Sequence, residues 1–266
     1  TGGEEGGRQV NISAASDFKK VTLELGGKSA NIVFDDADLD QAVDGAISGI
    51  FAASGQTCIA GSRLLLQDSI HDEFLERLVD MSSIAKLGDP MSKDTQIAPI
   101  ANELQYKKIL KYIDIAKAEG AKCVLGGGSA TVEGNHEGLF VLPTIFSDVD
   151  NSMRIAQEEV FGPVLSVIRF KDEDEAVSIA NDIDYGLAAG VWTKSLNRAV
   201  NVSERLQAGT VWVNTYRSTS YTSPFGGYKS SGLGRENGQQ AIKEYLQVKS
   251  IWLHTGESTK NPYARR

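Results

Sequence analysis

Two cysteines occur in this sequence, and one of them keeps unusual company. Cys58 lies in Gly55-Gln56-Thr57-Cys58-Ile59-Ala60-Gly61-Ser62-Arg63, with small residues on both sides. Core filling does not need such crowding, whereas a nucleophile does, because backbone and substrate must approach the sulfur closely. The thiolate is the reactive form, so a working site here is expected to lower the thiol pKa as well. Cys123 has no such surroundings and reads as an ordinary small apolar residue. A cysteine hydrolase would add a histidine base, but His71, His136 and His254 lie in polar or terminal settings and read as surface residues. Glu24 is the better partner: a lone acid in Val21-Thr22-Leu23-Glu24-Leu25, it is either solvent-facing on an edge strand or buried with a raised pKa, ready to activate water.

Two glycine-rich stretches fail as nucleotide signatures. Gly26-Gly27-Lys28-Ser29 is similar to the end of a phosphate-binding P-loop, but the first glycine of that motif would fall on Thr22. Gly232-Leu233-Gly234-Arg235-Glu236-Asn237-Gly238 misses the dinucleotide fingerprint by one residue and follows no strand.

The elements that must position Glu24 and Cys58 alternate in type. Short apolar runs predict strands at 21–25, 30–34, 63–67, 121–125, 139–145, 164–170, 187–193, 210–214 and 248–253. Between them, apolar periodicity and caps predict helices at 39–53, 71–84, 102–119, 173–181, 197–206 and 239–245. Asp36, Asp38 and Asp40 supply the N-cap and first-turn acids of the helix that delivers the chain to Cys58. Residues 129–138 read as an exposed loop or hairpin. The alternation predicts an α/β fold with a mostly parallel sheet flanked by helices.

A chain of 266 residues, 41% hydrophobic, has ample material for one large domain or one domain plus parts of others. A formal net charge of −8 argues against nucleic acid and anionic membranes as partners. Two cysteines are too few for a disulfide framework and fit a reducing compartment, so a cytoplasmic location is expected and no metal is. No apolar run approaches the roughly 20 residues that span a bilayer. The chain starts at Thr1 in a glycine-rich run and reads as the back part of a longer protein.

Four stretches, in order, carry a resemblance: Leu23-Glu24-Leu25-Gly26-Gly27-Lys28, Gly55-Gln56-Thr57-Cys58, Glu158-Glu159-Val160-Phe161-Gly162-Pro163 and Pro224-Phe225-Gly226-Gly227-Tyr228-Lys229. Together they resemble the aldehyde dehydrogenase superfamily, over nearly the whole chain. The resemblance implies oxidation of an aldehyde to a carboxylic acid with NAD or NADP, with Cys58 as nucleophile through a thiohemiacetal and a thioester, and Glu24 as the base that activates the hydrolytic water. It further implies that Glu159 binds the nicotinamide-side ribose, that Phe161 packs near the nicotinamide, and that Gly2, Gly3 and Leu25 belong to the cofactor surface, the two glycines at a strand-to-helix turn beside the diphosphate. Phe225 then belongs to the wall of the aldehyde tunnel. Arg217 lies where the family varies with substrate, and either favours an anionic aldehyde or is an exposed arginine with no such role.

By the same resemblance, residues 1–25 are the end of a cofactor-binding domain, 26–230 the catalytic domain, 231–247 a return segment, and 248–266 an oligomerisation strand and tail used in a homodimer or homotetramer. The family's first cofactor-binding half would precede Thr1, so this chain alone is expected to be weakly active or inactive without its N-terminal part. Two other readings stand beside this one: a coenzyme-A-acylating aldehyde dehydrogenase, against which Glu24 argues, and a non-catalytic structural or binding protein of the same fold.

Overall fold

The computed structural model describes residues 1–256 and Tyr263. Most of the polar tail and the side chains of His136 and Glu137 lie outside the described residues. Helix α1 (Glu4–Ala15) opens the chain, followed by β1 (Leu23–Glu24), β2 (Ala30–Val33), α2 (Leu39–Phe51), β3 (Arg63–Gln67), α3 (His71–Ser83) and α4 (Glu103–Ala118). Then come β4 (Lys122–Leu125), β5 (Ser129–Val132), β6 (Asn135–Val141), β7 (Thr144–Ser147), α5 (Arg154–Gln157), β8 (Val164–Phe170) and α6 (Glu173–Asn181). The chain finishes with β9 (Tyr185–Gly186), β10 (Ala188–Trp192), α7 (Leu196–Arg205), β11 (Thr210–Val213), β12 (Tyr228–Lys229), β13 (Gly232–Leu233) and α8 (Gly238–Glu244).

Seven strands form the central sheet in the order β11-β10-β2-β3-β8-β7-β4, with every neighbouring pair parallel except β4 and β7. Strand alternation feeds two separate cores. Ile32, Leu65 and Ile168 face one side, where Ile109 and Ile113 of α4 and Val202 of α7 close over them. Val33, Leu64, Leu66 and Val167 face the other, under Ile50 of α2 and Phe74 and Leu78 of α3. A sheet covered on both faces explains why these strands read as continuous apolar runs.

The side chain of Asp38 caps α2 by accepting from the Gln41 amide, as the acid run predicts. Past Phe51 the helix tightens into a 3₁₀ turn, Ala52–Gly55, in which Ala53 and Ser54 take φ near +53° and +55°. That left-handed kink ends the predicted 39–53 helix early and swings the chain toward Cys58.

Three sequence expectations need correction. The predicted strand at 21–25 shrinks to β1, which pairs antiparallel with β13 outside the central sheet. The predicted strand at 139–145 splits into β6 and β7 around Pro143, which has no N–H to give to a ladder; β6 pairs only with β5 in a hairpin. Helix α1 starts directly after Gly2 and Gly3, where the resemblance implies a strand-to-helix turn. The strand predicted at 248–253 does not form within this chain: Val248 and Trp252 are exposed, and no described strand edge lies beside the run. A strand exists only when another strand satisfies its backbone groups.

The carboxyl ends of β2 and β10 are tied by charge. Asp36 accepts from the Thr193 hydroxyl, from the Ser195 amide at 3.0 Å and from Arg198 at 2.8 Å. The Arg198 guanidinium also lies over the ring of Phe34, 4.6 Å from its centroid. These contacts hold the Asp36 carboxyl below its ordinary pKa despite partial burial.

Candidate active site

The segments carrying Glu24, Cys58 and Glu159 all precede a strand of the central sheet: residues 24–28 lead into β2, 55–62 into β3, and 158–163 into β8. The site therefore sits at the amino ends of the parallel strands, opposite to where open α/β sheets usually bind ligands. A cleft of about 870 Å³ opens there, and Gly2, Gly3, Leu25, Cys58, Glu159, Phe161 and Phe225 all line it. Seven of the eight sequence-selected residues thus share one cavity wall, and Glu24 adjoins Leu25 of that wall in sequence.

Glu24 takes the buried alternative, with only 6% of its surface exposed. Oε2 has no hydrogen-bond partner among the described residues, and burial pushes the carboxyl pKa up to about 7, helped by the negative charge of Glu236 and opposed by Arg235. Its neighbourhood is set by backbone: Glu24 pairs with Gly232, its carbonyl accepts from the Gly2 amide at 3.0 Å, and a Cβ on Gly226 would lie 3.0 Å from Oε1. A carboxylate with a free oxygen and a near-neutral pKa suits proton transfer to or from water.

Cys58 is half-buried. The expectation of a lowered thiol pKa is not met: burial raises it, Glu159 and Glu24 add to the rise, and hydrogen bonds from the amides of Ile59 and Cys58 itself only partly offset this. Desolvation outweighs two amide donors in the free chain. Gly27 must lack a side chain, because a Cβ there would come within 2.5 Å of the Cys58 carbonyl oxygen. Cys123, by contrast, is half-buried with Sγ donating to the Leu125 carbonyl at 3.3 Å, away from the cleft.

Glu159 is held by the same glycine pair. The Gly27 amide donates to Oε1 at 3.0 Å, and a Cβ on Gly26 would sit 2.7 Å from Oε2. Burial raises the Glu159 pKa against the opposing charges of Lys108 and Lys28. Phe161 adopts φ of +58°, a left-handed backbone that non-glycine residues rarely take. Gln105 of α4 stabilises it by donating to the carbonyls of Val160 and Phe161 at 2.8 and 2.9 Å.

Sequence reading missed Gln105 and Lys108, which line the cleft from α4, and Glu236, whose backbone pairs with Phe225 and whose charge acts on Glu24. Only the i, i+3 spacing of Gln105 and Lys108 could have hinted that they share a face. Arg217 is half-buried rather than exposed: it donates to Thr57 Oγ1 at 3.1 Å and faces the cysteine loop. His71 is buried, not a surface residue, and its Nδ1 lies 2.8 Å from Asp72 Oδ1.

Fold and cleft together define an α/β protein with a cysteine loop and a buried acid at the amino ends of a parallel sheet. The aldehyde dehydrogenase family model matches residues 1–251, and the chain belongs to that family. A betaine aldehyde dehydrogenase of Brucella melitensis is 46% identical over 263 residues, covering 99% of this chain and 54% of the relative. An aldehyde dehydrogenase of Emericella nidulans is 50% identical over 259 residues, covering 97% and 51%. Among solved structures, a betaine aldehyde dehydrogenase of Staphylococcus aureus in complex with NAD+ superposes with a TM-score of 0.97 at 44% identity, covering 99% of this chain and 52% of that one. The NAD+ complex of an aldehyde dehydrogenase from Bacillus cereus gives 0.92 at 42%, covering 96% and 51%. The chain spans about half the length of the curated relatives it matches.

Proposed function

We propose that this chain carries the chemistry of a hydrolytic, NAD(P)-dependent aldehyde dehydrogenase. The observation that carries the reading is Glu24: a buried carboxyl beside a cysteine loop, with one oxygen unpartnered and a pKa near 7. The Cys58 thiolate attacks the aldehyde carbonyl, and the resulting alkoxide faces the Cys58 backbone N–H. When bound, the nicotinamide supplies the acceptor for the hydride that leaves the thiohemiacetal. Glu24 then takes a proton from water, the hydroxide adds to the thioester, and the carboxylic acid departs as the C–S bond breaks and Cys58 is restored. A coenzyme-A-acylating enzyme needs no such base.

The residues present suit a dinucleotide. Gly26 leaves the Glu159 carboxylate bare, where it would accept from ribose hydroxyls, and Lys108 would add a positive charge on the same wall. Gly3 is the N-cap of α1 with no side-chain cap, and among the described residues nothing beyond the chain neighbours of Gly2 and Gly3 comes within 4 Å of where a Cβ would be. Such an open helix N-terminus suits a diphosphate. The solved relatives hold NAD+, which supports the same group here. Phe225 and Phe161 would form apolar walls for aldehyde and nicotinamide.

The division of the chain at residues 25, 230 and 247 and the use of 248–266 in a homodimer or homotetramer belong to the same proposal; sedimentation velocity reads the latter, and a monomer rejects it. The chemistry is tested with 4-nitrophenyl acetate, which acylates a nucleophilic thiol without a cofactor. Wild-type chain is expected to release a burst of nitrophenol, place an acetyl group on Cys58 and turn over. Glu24→Gln should keep the burst and slow turnover by on the order of a hundredfold. Unchanged turnover removes Glu24 from the role, and acetylation elsewhere removes Cys58.

A further inference from the structure

We infer that Tyr216 and Arg217 form a two-point clamp on the cysteine loop, so that one segment both lines the substrate end of the cleft and positions the nucleophile. The inference rests on Cys58 being that nucleophile. After β11 the chain turns at Asn214, with φ of +51°, and again at Arg217, with φ of +65°. Two left-handed non-glycine residues in four positions are costly and persist only where surrounding contacts enforce them. Those contacts reach the loop on either side of the sulfur. The Tyr216 hydroxyl donates to the carbonyl of Ile59 at 3.1 Å, and Arg217 Nη1 donates to Thr57 Oγ1 at 3.1 Å. The two residues adjoining Cys58 in sequence are thus each held by one of two consecutive residues of another segment.

The Tyr216 ring is built in, not laid on. It is buried, and it packs against Trp212 with ring centroids 4.7 Å apart. Three glycines make room for it: a Cβ on Gly61 would lie 2.9 Å from its hydroxyl, one on Gly190 2.7 Å from its ring, and one on Gly49 3.3 Å from its ring. Gly61 belongs to the cysteine loop itself, which the sequence marks only as rich in small residues. Downstream, the Trp212 indole N–H donates to the Ser218 carbonyl at 2.7 Å, and Ser218, Thr219, Ser220, Ser223 and Phe225 line the cleft. The clamp and the substrate wall are one continuous stretch, which makes Tyr216 and Arg217 positioning residues.

The test compares wild type, Tyr216→Phe, Arg217→Met and Arg217→Lys by peptide mass spectrometry after limiting iodoacetamide, with Cys123 as the internal control, and by 4-nitrophenyl acetate turnover. A clamp role predicts that Tyr216→Phe and Arg217→Met each speed Cys58 alkylation by about fivefold, the worth of one hydrogen bond, while slowing ester turnover by a similar factor. Cys123 alkylation stays unchanged, and Arg217→Lys, which keeps a donor, stays within about twofold of wild type. Cys58 and Cys123 moving together would show general loosening and overturn the clamp, as would an unchanged Cys58 rate in both Tyr216→Phe and Arg217→Met. If wild-type Cys58 takes no acetyl group, the nucleophile reading fails, while the alkylation ratio still decides whether the loop is clamped.

Discussion

Glu24 shows where residue-level reading stops and structure takes over. A lone acid in an apolar run leaves two outcomes open, and only the backbone pairing of Glu24 with Gly232 puts the carboxyl inside. Its titration fixes a pH dependence. A pKa near 7 means that the base is ionised above neutrality, so the deacylation that follows the burst should climb through about pH 7 and level off above it, while the burst follows the Cys58 thiol and keeps rising at higher pH. The linkage to stability runs the other way. Burial favours the protonated form, so this group's contribution is full below the unfolded carboxyl pKa and is lost as pH rises through about 7. Glu24→Gln should therefore raise the melting temperature at pH 8 and leave it nearly unchanged at pH 4; a loss of stability at both would contradict the assignment. Cys58 was visible from its small neighbours and Glu24 from its isolation, because both are anomalies against local composition. Gln105, Lys108 and Glu236 were not, since polar residues on a helix or in a glycine-rich turn match the background there.

At the scale of elements, the strands with apolar partners on both faces were legible, and the exceptions have physical causes. Helix α1 carries two glycines and exposes Val10 and Ile12, so it shows no apolar stripe to detect. Pro143 cuts one apolar run into two strands with different partners. The segment at 248–253 has strand composition and no edge to join. Binding of elements around the site falls largely to Arg63, the first residue of β3, which is 1% exposed. It donates to the carbonyls of Lys28, Ile179 and Ala180 and to Asn151, joining the entries of β2 and β3 to the end of α6. Arg63→Met would leave three carbonyls without this donor and should cost about 3 kcal/mol or more in a denaturant melt. A cost below about 1 kcal/mol would show that water replaces the guanidinium.

For the whole molecule, the parallel α/β class followed from the alternation of elements, but the cleft did not. Its wall draws on residues from Thr1 to Asn237, and no local pattern encodes which loops meet. The sheet also separates two features along its strands: the cleft opens where the strands begin, and the Asp36, Thr193 and Arg198 cluster ties β2 and β10 where they end. Asp36→Asn should lower the melting temperature by a few degrees through loss of its ion pair and charge-assisted hydrogen bonds, yet leave the Cys58 alkylation rate as it was. A matching fall in Cys58 reactivity would show that the two ends are coupled. If they are not, heat tolerance and catalytic rate are separately heritable traits in this fold, and selection for a warmer habitat can rewrite one end of the sheet while the other keeps its substrate.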